Sequence, residues 1–114
     1  IGKKNREIII ILIQQGIDVN QRNRHGLTPL MLAVWYGWEE IIPMLIDAGA
    51  ELDARNRDGQ TALMFAAYLN RKEAVEMLLD KEASKLIKDR YGKTAYDYAL
   101  LKNHKELLKY LKIS

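Results

Sequence analysis

Three segments of this chain align with one another at a fixed offset of 33 residues: Gly26-Leu27-Thr28-Pro29-Leu30-Met31-Leu32-Ala33, Gly59-Gln60-Thr61-Ala62-Leu63-Met64-Phe65-Ala66 and Gly92-Lys93-Thr94-Ala95-Tyr96-Asp97-Tyr98-Ala99. A constant period of this length restricts the fold more than any single residue does. A unit repeated at that spacing buries its apolar face only against its neighbours, so the core is a ribbon between layers rather than a central ball. The expected architecture is a solenoid of stacked units. Such a stack displays a surface, and a catalytic pocket is not expected of it.

The slots within the period carry their own chemistry. Thr28, Thr61 and Thr94 stand where a hydroxyl caps a helix, and Pro29 follows at the first helical position. Leu30, Ala33 and Val34 recur at i, i+3 and i+4, one apolar stripe of a short helix. Ala33, Ala66 and Ala99 form a column whose methyl groups allow close approach of helices. Gly37, Asn70 and Asn103 tolerate the left-handed conformation that closes such a helix. Glu7, Glu40, Glu73 and Glu106 are expected to open the second helices, facing the positive end of each dipole. A row of catalytic acids is excluded by their regular spacing, about 8–10 Å per helix layer. Pro43 sits early in its helix and removes at most one backbone bond.

These residues resemble the ankyrin repeat, a β-turn followed by two antiparallel helices, and the resemblance implies an all-α ankyrin-repeat solenoid of stacked helix-turn-helix units joined by β-turn fingers. Thr28-Pro29-Leu30 matches the family's opening signature, with Met31 where His is usual, and the later copies relax it to Thr61-Ala62-Leu63-Met64 and Thr94-Ala95-Tyr96-Asp97. Gly16-Ile17-Asp18-Val19-Asn20 and Gly49-Ala50-Glu51-Leu52-Asp53 resemble the family's exit from the second helix, and Glu82-Ala83-Ser84-Lys85-Leu86 departs from it. The repeats divide the chain into a partial unit over 1–22, units over 23–55 and 56–88, and a capping unit over 89–114. The resemblance implies a non-catalytic protein–protein interaction module, a scaffold whose partners dock on the turn tips and the exposed side of the first helices.

Composition agrees with one globular unit: 114 residues, 48% hydrophobic and 29% charged, with no cysteine and hence no disulfide or thiolate chemistry. The longest apolar run, Ile8 to Ile13, falls far short of a membrane span. With no membrane span, signal peptide or lipidation site visible, a cytoplasmic location is the working expectation. The net charge of +3 is unevenly distributed: +3 over residues 1–38, −5 over 39–80 and +5 over 81–114.

Two columns of cations mark the turn tips, Arg22, Arg55 and Lys88 in one, Arg24, Arg57 and Arg90 in the other. Trp35, Tyr36 and Tyr68 lie on the groove side of the first helices, and Tyr91 sits at the third tip. Trp, Tyr and Arg dominate interface hot spots, and rows of cations attract an anionic surface. The expected partner is therefore a protein with an acidic surface. Asn23, Asn56 and Asp89 offer a competing reading, in which they pair with the arginines and neutralise part of the rows. Nucleic acid is disfavoured, because the middle third is acidic and no groove-reading motif is present. Neither cofactor nor metal is expected. His25 lies in a turn and His104, expected to cap the last helix, is repeats away; no metal-ligand spacing or phosphate-cradling loop occurs.

The ends differ. Counting back by 33 places Ile1 at the end of a first helix, and Ile8-Ile9-Ile10-Ile11-Leu12-Ile13 is apolar all round. Such a helix needs cover, from upstream sequence, an upstream domain or a second copy, unless it is a frayed end. Ile10 and Ile11 are the expected contact residues. At the other end Lys102, Lys105, Lys109 and Lys112 interleave with Leu107, Leu108 and Leu111, the pattern of a capping helix.

Overall fold

The computed structural model describes the backbone of residues 2–113 and the side chains of residues 6–113. Among the described residues seven helices follow one another: α1 (Gly2–Gln14), α2 (Pro29–Tyr36), α3 (Ile41–Asp47), α4 (Ala62–Tyr68), α5 (Lys72–Asp80), α6 (Ala95–Leu101) and α7 (Lys105–Leu111). No strand occurs among the described residues. Helices α2, α4 and α6 form one layer and α1, α3, α5 and α7 the other, within an envelope of 41 × 25 × 25 Å.

Each first helix starts and stops on side chains the sequence supplies. The Thr28, Thr61 and Thr94 hydroxyls accept from the N–H groups of Met31, Met64 and Asp97 at 3.2, 3.3 and 3.3 Å. At the other end Gly37, Asn70 and Asn103 have φ of 75°, 58° and 60°. That conformation turns the next N–H back onto the helix: Trp38, Arg71 and His104 donate to the carbonyls of Ala33, Ala66 and Ala99, each at 2.8 Å. The same device ends the second helices. Ile17, Ala50 and Ala83 donate to Leu12, Leu45 and Leu78, each at 3.0 Å. Glu82 holds φ 68° in the slot of Gly16 and Gly49, so the divergent third exit keeps the shape of the other two.

The core runs as a ribbon between the layers. Leu30, Leu45, Leu63, Leu78, Leu107 and Leu111 are wholly buried, and the alanine column at 33, 66 and 99 is sealed. Burial of one such leucine contributes about 1.5–3 kcal/mol. The lysines of α7 and its approach, Lys102, Lys105, Lys109 and Lys112, stay exposed over buried Leu107 and Leu111.

Three expectations are corrected. Helix α1 begins at Gly2, not near Glu7, because Lys4 occupies the slot of Gly37, Asn70 and Asn103 and does not favour a left-handed stop. The glutamate column therefore splits: Glu73 and Glu106 lie in first turns, Glu7 falls inside α1, and Glu40 precedes α3 and pairs with Arg6. That hydrogen bond from Arg6 holds the Glu40 carboxyl below its usual range. Finally, α1 is covered on one side only. Ile9 is buried and Ile10 packs on the core, whereas Ile8 and Ile11 are about half exposed. Ile8 and Ile11, rather than Ile10 and Ile11, form the open apolar edge.

Candidate functional site

The turn tips are built by one side chain each. Asn23, Asn56 and Asp89 open a β-turn in which Gly26, Gly59 and Gly92 donate back to their carbonyls at 2.9, 3.0 and 2.9 Å. The Oδ1 atom of the same residue accepts two further N–H groups, from residues two and four positions on: His25 and Leu27, Asp58 and Gln60, Tyr91 and Lys93. These side chains hold the turn from inside, so none of them neutralises an arginine, which corrects the competing reading. Successive turns lie in close contact. A Cβ on Gly26 would fall 3.0 Å from the Arg57 nitrogen, which leaves no room there for a side chain.

The two cation columns do different work. In the first, Arg22 donates through Nη1 to the Arg55 carbonyl, and Arg55 donates through Nη2 to the Lys88 carbonyl at 2.8 Å and through Nε to Gly59 at 3.2 Å. Their guanidinium groups join each turn to the next. A parallel pair works at the helix ends, where Arg71 donates to the Trp35 carbonyl and His104 Nδ1 to the Ala67 carbonyl, both at 2.8 Å. A carbonyl only accepts, so His104 carries its proton on Nδ1: the residue stands at the N-cap of α7, but its side chain ties two repeats and makes no cap bond. In the second column Arg90 is bound by Asp58 at 2.9 Å, which raises its pKa further, and lies 5.2 Å over the Tyr91 ring. Arg24 and Arg57 are exposed and enter no ion pair among the described residues.

Between the tips and the first helices lies a continuous cleft. Its larger part, about 470 Å³, is lined by Trp35, Tyr36, Arg57, His25, Asp58 and Phe65 among others. The smaller part, about 290 Å³, is walled by Trp35, Met64, Phe65, Tyr68 and Tyr98, and Trp35, Gln60 and Phe65 border both. The rings are braced rather than loose. Trp35 meets Phe65 edge-on at 5.7 Å, Tyr68 meets Tyr98 edge-on at 6.0 Å, and Tyr36 stacks on Trp38 at 5.0 Å. Trp35, Tyr36 and Tyr68 nevertheless keep 44%, 39% and 38% of their surface exposed, enough for a partner to cover.

The far wall is fixed by a buried acid. The Tyr98 hydroxyl donates to Asp89 Oδ2, and Gln60 reaches the same hydroxyl at 3.4 Å. Burial pushes the Asp89 carboxyl up. Hydrogen bonds from Tyr98, from the Lys93 and Tyr91 N–H groups and from Gln60 outweigh it, and the pKa ends below the ordinary aspartate value. Burial and the Asp89 bond together raise the Tyr98 phenol.

A family model described as ankyrin repeats (3 copies) matches residues 45–114, and a second, ankyrin repeats (many copies), matches residues 12–63. The chain belongs to the ankyrin-repeat family. A comparison with curated proteins returns no match. Ankyrin repeats are generally protein–protein interaction modules and typically non-catalytic. Among the described residues no helix is long and apolar enough to cross a membrane, and no group of three or more His, Asp or Glu side chains is placed to hold a metal ion.

On this ankyrin frame the ten candidate residues separate. Trp35, Tyr36, Arg57 and Tyr68 meet at the cleft. Arg22 and Arg55 serve the stack, Arg24 stands free at the first tip, and Lys88, Arg90 and Tyr91 lie at the third tip outside the cleft. Sequence reasoning left out His25, Asp58, Gln60, Phe65 and Tyr98 as lining residues. The signal for Phe65 and Tyr98 was their shared slot with Leu32, facing the preceding first helix. The signal for His25 and Asp58 was a change of charge within one slot.

Proposed function

We propose that this ankyrin domain is a protein-binding module that presents a basic and aromatic concave surface to an acidic protein partner. The observation that carries the reading is the cleft in which half-exposed, mutually braced aromatic rings adjoin the unpaired guanidinium of Arg57. Rings fixed before binding lose little rotamer freedom when a partner covers them. Arg24 adds a second uncompensated cation at the rim, while Lys88, Arg90 and Tyr91 stand at the third tip, outside the cleft. Arg22 and Arg55 contribute long-range field while their donors stay in the stack.

A display library of random peptides tests this directly. Selected binders are expected to be rich in Asp and Glu beside apolar residues, and to lose affinity in Trp35→Ala and in the Arg24→Glu/Arg57→Glu double variant. Their association should slow as salt rises. Selection of neutral or basic sequences, or binding untouched by both variants, contradicts the reading.

A second reading rests on the open edge of α1, where Ile8 and Ile11 are about half exposed. There the stack packs on another domain or on a second copy. Sedimentation over a range of concentrations tests the second copy: a mass that rises with concentration and returns to monomer in Ile11→Lys supports it, and a monomer throughout removes it.

A further inference from the structure

We propose that the charged contact with a partner is confined to the cleft between the first and second turns, and that the occupant is a segment carrying an apolar side chain beside a carboxylate. The apolar group enters the hollow walled by Trp35, Phe65 and Tyr68, and the carboxylate meets Arg57. This inference deepens the binding-module reading and rests on it.

The confinement comes from one slot. Between the second and third turns Asp58 holds Arg90 twice, by its carboxylate to Nη1 at 2.9 Å and by its carbonyl to the Arg90 nitrogen at 2.9 Å. One repeat earlier the same positions are His25 and Arg57. Where Arg90 finds a carboxylate, the equivalent slot for Arg57 holds His25, whose side chain supplies no carboxylate to neutralise it. Asp58 also borders the cleft, but its charge is already compensated by Arg90, so it does not cancel Arg57. The cation columns thus look uniform in sequence and are not uniform in charge: the second turn offers an unpaired guanidinium and the third does not.

Chemistry on either side of Arg57 sets the occupant. The hollow of about 290 Å³ takes one apolar side chain, bounded by four rings and Met64 with Gln60 as its main polar wall. It runs into the larger cleft that Arg57 lines, through the shared border of Trp35, Gln60 and Phe65. Guanidinium and carboxylate match in geometry as well as charge, and an aromatic anchor point near the centre of a contact is where binding energy concentrates. An apolar residue with an adjacent Asp or Glu satisfies both walls at once.

The test uses short Gly/Ser peptides carrying one Leu or Phe beside one Glu, their Gln and Lys counterparts, and a single-stranded DNA oligonucleotide. Affinities are measured by fluorescence anisotropy against the wild type, Arg57→Gln, Lys88→Gln and His25→Asp. The last variant copies into the first turn the residue that the second turn already holds, so the stack accommodates it. Thermal unfolding of each variant confirms folding. Glu peptides are expected to bind the wild type and Lys88→Gln alike, and to bind Arg57→Gln and His25→Asp about tenfold more weakly. Equal losses in Arg57→Gln and Lys88→Gln, or no loss in His25→Asp, overturn the confinement and leave the binding-module reading standing. No preference for Glu over Gln and Lys peptides, no binding of Glu peptides at their solubility limit, or tighter binding of the oligonucleotide overturns both.

Discussion

Glu82 and Asp89 show how a repeat sequence tolerates substitution at single positions. Glu82 holds a left-handed conformation in a slot where the other units use Gly16 and Gly49. A side chain there strains the backbone by roughly 1–2 kcal/mol, offset in part by the extra freedom glycine has when unfolded. Glu82→Gly is therefore expected to stabilise the chain by about 0.5–1 kcal/mol in urea unfolding, and a loss of stability contradicts the account of that exit. Asp89 does the turn-forming work of Asn23 and Asn56 while also accepting from Tyr98. Its folded pKa is depressed, so its stabilisation is present above the unfolded value of about 3.9 and is lost as pH falls through the folded value. Asp89→Asn keeps the turn, as its two sister residues show, and removes that titration. The stability gap between wild type and Asp89→Asn should be widest near neutral pH and close on acidification below about pH 4. A gap independent of pH refutes the assignment. Little of this was legible beforehand: the turn residues could be named from their slots, but whether Asn and Asp side chains point at arginines or at their own backbone depends on a turn geometry that composition does not specify.

At the scale of helices the sequence spoke through its stops. The threonine caps and the Gly37, Asn70, Asn103 closures were readable because each rests on local backbone chemistry that the residue type alone dictates. The start of α1 was misread for the opposite reason: a register counted back by 33 assumes a stop at Lys4, and lysine supplies none. The closures give a graded test. Gly37 has φ 75°, and a Cβ there would meet Arg71 Nη1 at 3.1 Å. Gly37→Ala should cost about 1–2 kcal/mol, whereas Gly37→Asn should cost less, since Asn70 and Asn103 already hold this conformation. Equal costs in denaturant unfolding would show that crowding by Arg71, not backbone strain, governs the slot. His104 marks where local reading ends. Its slot suggested a cap, but its partner is the Ala67 carbonyl of the preceding repeat, a contact set by stacking.

Across the whole molecule the stack turns a near-periodic sequence into an aperiodic surface. Arg22 and Arg55 reach to carbonyls of the next unit, and Arg71 and His104 to carbonyls of the preceding one, so part of the positive charge that sequence assigns to the surface is engaged in joining repeats. What remains available is set by neighbours 32 residues apart: Asp58 removes Arg90 from the free set and His25 leaves Arg57 in it. The aromatic floor was foreseen at Trp35, Tyr36 and Tyr68. Its second wall, Phe65 and Tyr98, was not, because each belongs to one first helix and lines a hollow only when the next is stacked upon it. In the proposed site Arg57 and the aromatic hollow act as one binding surface. Amide and indole chemical-shift mapping of the isotope-labelled chain, titrated with a Leu-Glu peptide, tests it most directly. Shifts are expected at the Trp35 indole and the amides of Arg57, Gln60 and Phe65, with the third turn and α7 silent. Shifts centred on Lys88 to Tyr91, on the lysines of α7 or on Ile8 and Ile11, with Trp35 unmoved, would contradict it.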